Sequence, residues 1–153
     1  MKRCMRCEGE KLVASETELS RKLAGRTFKV AVPARRCAGC GEQYISQKAG
    51  VSGELAIAEK LAQAGVVAGD AFQFMRKALA LPAVELAALM DVTPETMSRW
   101  EHGKLPVERR AIALLSAMVL DRVEGRTMTL DRLQALQKPS RLPKLVRLVP
   151  RLA

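Results

Sequence analysis

Two Cys-x-x-Cys pairs constrain this chain more than any other feature. Cys4-Met5-Arg6-Cys7 and Cys37-Ala38-Gly39-Cys40 stand 29 residues apart and account for all four cysteines. Zinc takes four soft ligands placed tetrahedrally, and each such turn supplies two thiolates from one short bend. Gly9 and Gly41 lie just past the pairs, where glycine lets the backbone turn its N–H groups toward sulfur. The reading is one structural Zn2+ held by Cys4, Cys7, Cys37 and Cys40, with no open position for a catalytic water. A redox dithiol is the rival, but it needs only one pair beside a helix and leaves the second unexplained.

Between the pairs, residues 11–19 and 26–32 read as strands around a turn at Ala24-Gly25-Arg26, and residues 44–46 as a third strand. A module of about 45 residues has too small a core to stand alone, so the metal is expected to hold it folded. Arg21, Lys22, Arg26, Lys29, Arg35 and Arg36 are interleaved with apolar residues. That pattern fits either a solvated outer face or a binding surface.

The remainder is Ala- and Leu-rich with helical periodicity. A short connecting helix is expected over 54–64, inside a Gly- and Ala-rich linker spanning 49–69 that would act as a hinge. Asp70 and Gln73 suggest a capping box opening a helix over 71–80, which would bury Phe72 or Phe74 with Met75, Ala78 and Leu79. Leu86, Ala87, Met90, Val92, Met97 and Trp100 would face one core from two helices broken at Asp91-Val92. Thr93 reads as the N-cap of the second, Pro94 as its first residue and Gly103 as its stop. This helix-turn-helix leaves Thr93, Glu95, Thr96, Ser98 and Arg99 outward, the face a recognition helix offers to the major groove of double-stranded DNA. Arg76 and Glu101 are expected to pair and lock the first helix of the unit onto its recognition helix. An apolar helix over 107–123 stops at Gly125, and Thr129 would cap a last helix reaching Lys138-Pro139. Their apolar surface serves either a two-fold homodimer contact or core packing alone.

Charge is unevenly spread. The net charge is +10, yet residues 71–137 hold nine Lys and Arg against eight Asp and Glu, whereas 138–153 hold five basic residues, three prolines and no acid. The excess favours a polyanionic partner, and 138–153 reads as an extended basic arm that either touches phosphates or is a passive solubilising end. Five aromatic residues are too few for a base-stacking platform. No run reaches the roughly 18 apolar residues of a membrane span, and Met1-Lys2-Arg3-Cys4 lacks the apolar stretch of a signal peptide. The expected setting is cytoplasmic. His102, the single histidine, reads as a helix-end residue and not a ligand. No nucleophile–base pair, phosphate-cradling glycine loop or paired carboxylates stand out, so no enzyme activity is expected.

Taken together, Cys4, Cys7, Cys37, Cys40, Gly41 and Glu42 in front, with Arg76, Leu86, Ala87, Val92, Ser98, Arg99, Trp100, Glu101 and Gly103 behind, resemble the MqsA family. These are antitoxins with a YgiT-type zinc finger and a Cro/repressor (XRE)-type helix-turn-helix, and the resemblance covers about residues 1–120. It implies that the zinc module grips a cognate toxin, usually an mRNA interferase, while the C-terminal domain dimerises and represses its own operon at a palindromic operator. It also implies that Glu95 and Arg99 stand where the family reads bases. Arg99 suits bidentate contact with guanine. Glu95 departs from the usual asparagine, and Ala83 replaces a glutamine that touches the DNA backbone in relatives.

The expected fold class is α+β: a small zinc-bound β module (1–48), a linker with a short helix (49–69), an all-α helix-turn-helix domain for DNA binding and dimerisation (70–137), and a basic tail (138–153). The expected function is that of a type II antitoxin and autorepressor. The alternative is a stand-alone zinc-containing helix-turn-helix regulator without a toxin.

Overall fold

The computed structural model describes residues 3–151 of the chain. Three strands open it: β1 (Leu12–Leu23), β2 (Arg26–Cys37) and β3 (Gln43–Ile45). Six helices follow: α1 (Gln47–Ala64), α2 (Gly69–Ala78), α3 (Ala83–Leu89), α4 (Pro94–Glu101), α5 (Arg109–Val123) and α6 (Met128–Gln137). The architecture is α+β, as the sequence suggested.

β1 and β2 form an unbroken antiparallel hairpin from Leu12↔Cys37 to Leu23↔Arg26. Its two-residue loop has Ala24 at φ 51° and Gly25 at φ 69°, the doubly left-handed turn whose twist matches that of paired strands. Each strand is longer than expected. At about 3.4 Å per residue the hairpin runs roughly 40 Å. β3 adds only the pairs from Ala34↔Ile45 to Arg36↔Gln43. One face alternates inward with Leu19, Leu23, Phe28, Val30, Val32 and Ala34, while Glu16, Glu18, Lys22 and Lys29 stay in water. This is the one-sided pattern of an antiparallel sheet covered by helix.

The covering helix is α1. Its N-cap is Ser46, whose hydroxyl accepts from Ala49 N–H at 3.1 Å, so Ser46 opens the helix where a strand residue was expected. The helix starts seven residues earlier than position 54, because Gly50 and Gly53 lie within it and not before it. A Cβ at Gly53 would stand 2.7 Å from both Leu19 Cδ1 and Val32 Cγ1; the missing side chain is what lets α1 press onto the sheet. Gly65, at φ 62°, ends the helix. Segment 49–69, expected as a hinge-like linker, thus contributes Ile57, Ala58, Leu61 and Ala62 to a core shared with Leu23 of the hairpin and with Phe72, Met75, Leu86, Met97, Trp100, Leu115 and Val119.

Two expected caps fall elsewhere. Asp70 lies inside α2, whose N-cap is Ala68 without a side-chain bond. The Asp70 carboxylate instead accepts from Ala24 N–H at 2.9 Å and Ala71 N–H at 2.7 Å, while Gln73 reaches Glu101 at 3.1 Å. No capping box forms, since both side chains have tertiary partners. Thr129 likewise lies within α6, and its N–H donates to Asp121 Oδ2 on α5 at 2.7 Å. That bond holds the Asp121 carboxyl below the usual carboxylate range.

Candidate metal centre and nucleic-acid interface

The hairpin register delivers Cys37 beside the turn that begins at Cys4. The four cysteine sulfurs lie within 4.8 Å of one another, with Cys4–Cys40 and Cys7–Cys37 each 3.5 Å apart. Tetrahedral Zn–S bonds of about 2.3 Å would set sulfurs about 3.8 Å apart, so the four thiols fit one metal ion. Both turns share a backbone plan: Glu8 N–H donates to Cys4 O at 2.9 Å and Gly41 N–H to Cys37 O at 3.0 Å. In the second turn the left-handed residue is Gly41 (φ 77°), but in the first it is Glu8 (φ 58°) and not Gly9. Gly9 matters for space, because a Cβ there would come 3.3 Å from Cys7 Sγ.

Electrostatics also favours a cation. The hydrogen bond with Tyr44 pulls Cys4 down to about 6, against the opposing push of burial. The N–H groups of Cys40 and Gly39 draw Cys37 down. At Cys7 the Gly9 N–H lowers the value, yet the neighbouring sulfurs outweigh it and push the thiol up to about 12. Cys4 and Cys37 thus favour the thiolate while Cys7 holds its proton, because its S–H is shared with the sulfurs beside it. A divalent ion relieves that conflict and lets all four ionise. Tyr44, missed by sequence reasoning, spans the site: its hydroxyl oxygen accepts from Met5 N–H at 2.9 Å and lies 3.1 Å from Cys4 Sγ. Its place on β3, three residues after Gly41, was the available signal.

α3 and α4 are two short helices joined by a tight turn. The turn passes through Asp91 at φ 54°, and Leu86, Ala87, Met97 and Trp100 are buried. Thr93 is the N-cap of α4, its Oγ1 accepting from Thr96 N–H at 3.1 Å, and Pro94 is the first residue. The two threonine hydroxyls are 2.9 Å apart. Thr93, Glu95, Ser98 and Arg99 are exposed and Thr96 is half-buried. Arg99 pairs with Glu95 at 2.6 Å across one helical turn. His102 caps the far end, its Nδ1 donating to Ser98 O at 2.8 Å.

Behind this face, Arg76 Nε and Nη2 donate to the two Glu101 oxygens at 2.5 and 3.0 Å. Arg76 Nη1 also donates to Leu81 O at 2.7 Å, so one guanidinium ties α2 to α4 and to the α2–α3 turn. Burial alone would raise Glu101, but the bonds from Arg76 and Gln73 together with the arginine charge outweigh it and hold the carboxyl low. Phe72, and not Phe74, is the fully buried ring of α2, packed edge-on against Trp100 at 5.9 Å between centroids. Gly69 was also missed: a Cβ there would overlap the Trp100 carbonyl oxygen. Glycine thus allows α2 to approach the end of α4.

Two of the basic residues of the sheet are held in ion pairs. Arg21 pairs with Glu54 of α1 at 2.9 Å and Lys29 with Glu18 at 2.9 Å. Segment 138–151 has no helix or strand and is exposed. No helix among the described residues is long and apolar enough to cross a membrane. Residues 1–124 match a family described as the antitoxin component of a bacterial toxin-antitoxin system, MqsA. No curated protein matches the chain.

Proposed function

The chain belongs to the MqsA antitoxin family, and from that membership and the geometry of its two halves we propose that it is a type II antitoxin that also represses its own operon. The observation that carries the reading is the union, on one chain, of a four-cysteine centre and a capped helix, α4, with an exposed polar face. In this reading Cys4, Cys7, Cys37 and Cys40 hold one structural Zn2+. Bound by these four thiolates, the ion would tie the two turns together, and the hairpin would keep its shape for contact with a cognate toxin, an mRNA interferase. No step of chemistry is required.

Thr93, Glu95, Thr96, Ser98 and Arg99 enter the major groove, with Arg99 leaving Glu95 to make a bidentate contact with guanine. The Arg76–Glu101 pair fixes the angle at which α4 is presented. Homodimerisation through α5 and α6, where Met128 and Leu136 are exposed, would set two α4 helices about 34 Å apart on a palindrome. In this reading residues 1–48 serve the toxin and residues 70–137 the DNA, 49–69 join them, and the protein works in the cytoplasm.

The test is co-expression of the tagged chain with its neighbouring genes, followed by mass spectrometry of what co-purifies. A stoichiometric partner that is lost with Cys4→Ser or Cys37→Ser supports the antitoxin reading and assigns the contact to the metal module. A zinc-loaded dimer that binds the upstream sequence and retains no partner would replace it with a stand-alone regulator.

A further inference from the structure

Segment 138–151 lies beyond the matched residues 1–124, and its chemistry and place of departure point to a job. Its sequence runs as triplets, Arg141-Leu142-Pro143, Lys144-Leu145-Val146 and Arg147-Leu148-Val149, followed by Pro150-Arg151. Pro139, Pro143 and Pro150 oppose helix and favour extended backbone. A polyproline-type chain has three residues per turn and rises about 3.1 Å per residue. In that geometry Arg141, Lys144 and Arg147 line one edge, about 9 Å apart, and the segment reaches roughly 40 Å. None of the side chains of Lys138, Arg141, Lys144, Arg147 and Arg151 pairs with an acidic group among the described residues.

The segment also starts in the right place. Gln137, at the end of α6, lines one groove with Leu136, Met90 and Asp91, and Asp91 is two residues before the N-cap of α4. A chain leaving Gln137 therefore starts at the groove that holds Asp91, in the turn that leads into the N-cap of α4, the end that enters the major groove in a helix-turn-helix complex. The helical domain itself has little attraction for a polyanion. Residues 71–137 are almost balanced in charge, and the cation of the reading face, Arg99, is matched by Glu95.

We infer that residues 138–151 form a DNA arm that tracks the phosphate backbone beside the site read by α4 and supplies the sequence-independent part of the affinity. This rests on the DNA-binding reading above. Each cation that meets a phosphate releases condensed counterions, so log K falls more steeply with log salt by about 0.9 per contact. The arm reaches about one turn of duplex, which spans about 34 Å.

The experiment compares the zinc-loaded full chain with a variant carrying K138Q, R141Q, K144Q, R147Q and R151Q. These side chains are exposed, so the fold is retained; Trp100 fluorescence checks it. Binding is measured by fluorescence anisotropy over roughly 50 to 300 mM KCl, on a duplex of the sequence upstream of the chain's own gene and on a scrambled duplex. The expected result is a salt slope shallower by up to about 4.5 per protomer, with both duplexes weakened by a similar factor. Equal slopes for the two proteins overturn the arm while leaving DNA reading intact. A parent chain that binds neither duplex overturns the DNA reading itself. Unchanged DNA binding with loss of binding to 3:1 phosphatidylcholine–phosphatidylglycerol vesicles also overturns the arm, by assigning these cations to a lipid surface.

Discussion

Replacing Glu101 by alanine tests whether the buried ion pair governs the stability of the α2–α4 packing. Glu101 and Arg76 are 7% and 8% exposed. The carboxylate accepts from Arg76 Nε and Nη2 and from Gln73 Nε2, at 2.5, 3.0 and 3.1 Å. Glu101→Ala removes every one of these acceptors and strands a guanidinium that keeps only the Leu81 carbonyl. Leaving one member of a buried pair uncompensated costs about 3–5 kcal/mol. Replacing both members by apolar side chains of similar volume removes charge and counter-charge together, so Arg76→Met with Glu101→Leu is expected to leave stability close to that of the parent. The assay is urea unfolding of the zinc-loaded chain, followed by Trp100 fluorescence; this is the chain's one tryptophan and it is buried beside the pair. With a slope of about 2 kcal/mol per molar, Glu101→Ala should lower the midpoint by about 2 M. A cost below about 1 kcal/mol, or a double variant as destabilised as the sum of the single ones, would refute the reasoning.

Stripping the metal with a chelator, or changing Cys4 to Ser, should abolish the hairpin's circular-dichroism signal while Trp100 fluorescence reports a persistent helical core; one zinc per chain by mass spectrometry would be the matching count. Glu101 and Asp121 both sit low in the folded chain, so their stabilisation is complete above the usual carboxylate range and drains away as pH falls through it. Glu101→Gln and Asp121→Asn should therefore flatten the loss of stability below about pH 4.5 relative to the parent, and identical melting profiles would contradict this. Gly69→Ala should destabilise more than Gly53→Ala in the same urea assay, because the first meets a backbone carbonyl and the second the ends of two side chains; overpacking of the second kind costs about 1–3 kcal/mol. Arg99→Ala should weaken binding to the upstream duplex by about 10- to 100-fold, whereas Glu95→Gln, which frees Arg99 from its ion pair, should strengthen binding to any duplex.

Much of the site was legible because its signals are local. A Cys-x-x-Cys turn needs only four residues, and the Thr93-Pro94 start of α4 is written in two. Periodicity placed Leu86, Ala87, Met97 and Trp100 on one face, since the spacing of a helix fixes which residues share a side. Errors arose where local and tertiary demands compete for one side chain. Asp70 fits a cap by its spacing from Gln73, yet the Ala24 N–H and Glu101 recruit the two side chains away from each other. Gly53 looks like a helix boundary in sequence, but in the fold it is the contact point between α1 and the sheet.

The sequence by itself determined the four candidate ligand cysteines, the turns that carry them, the cap and first residue of α4, and the separation of charge between nearly neutral residues 71–137 and basic residues 138–153. Each follows from covalent connectivity over a few residues. Only the tertiary structure decided that the four sulfurs converge, that Tyr44 joins them, that Gly69 and Gly53 admit close neighbours, and that Gln137 shares a groove with Asp91. Those facts depend on the hairpin register and on helix packing, in which residues distant along the chain compete for the same space and hydrogen bonds.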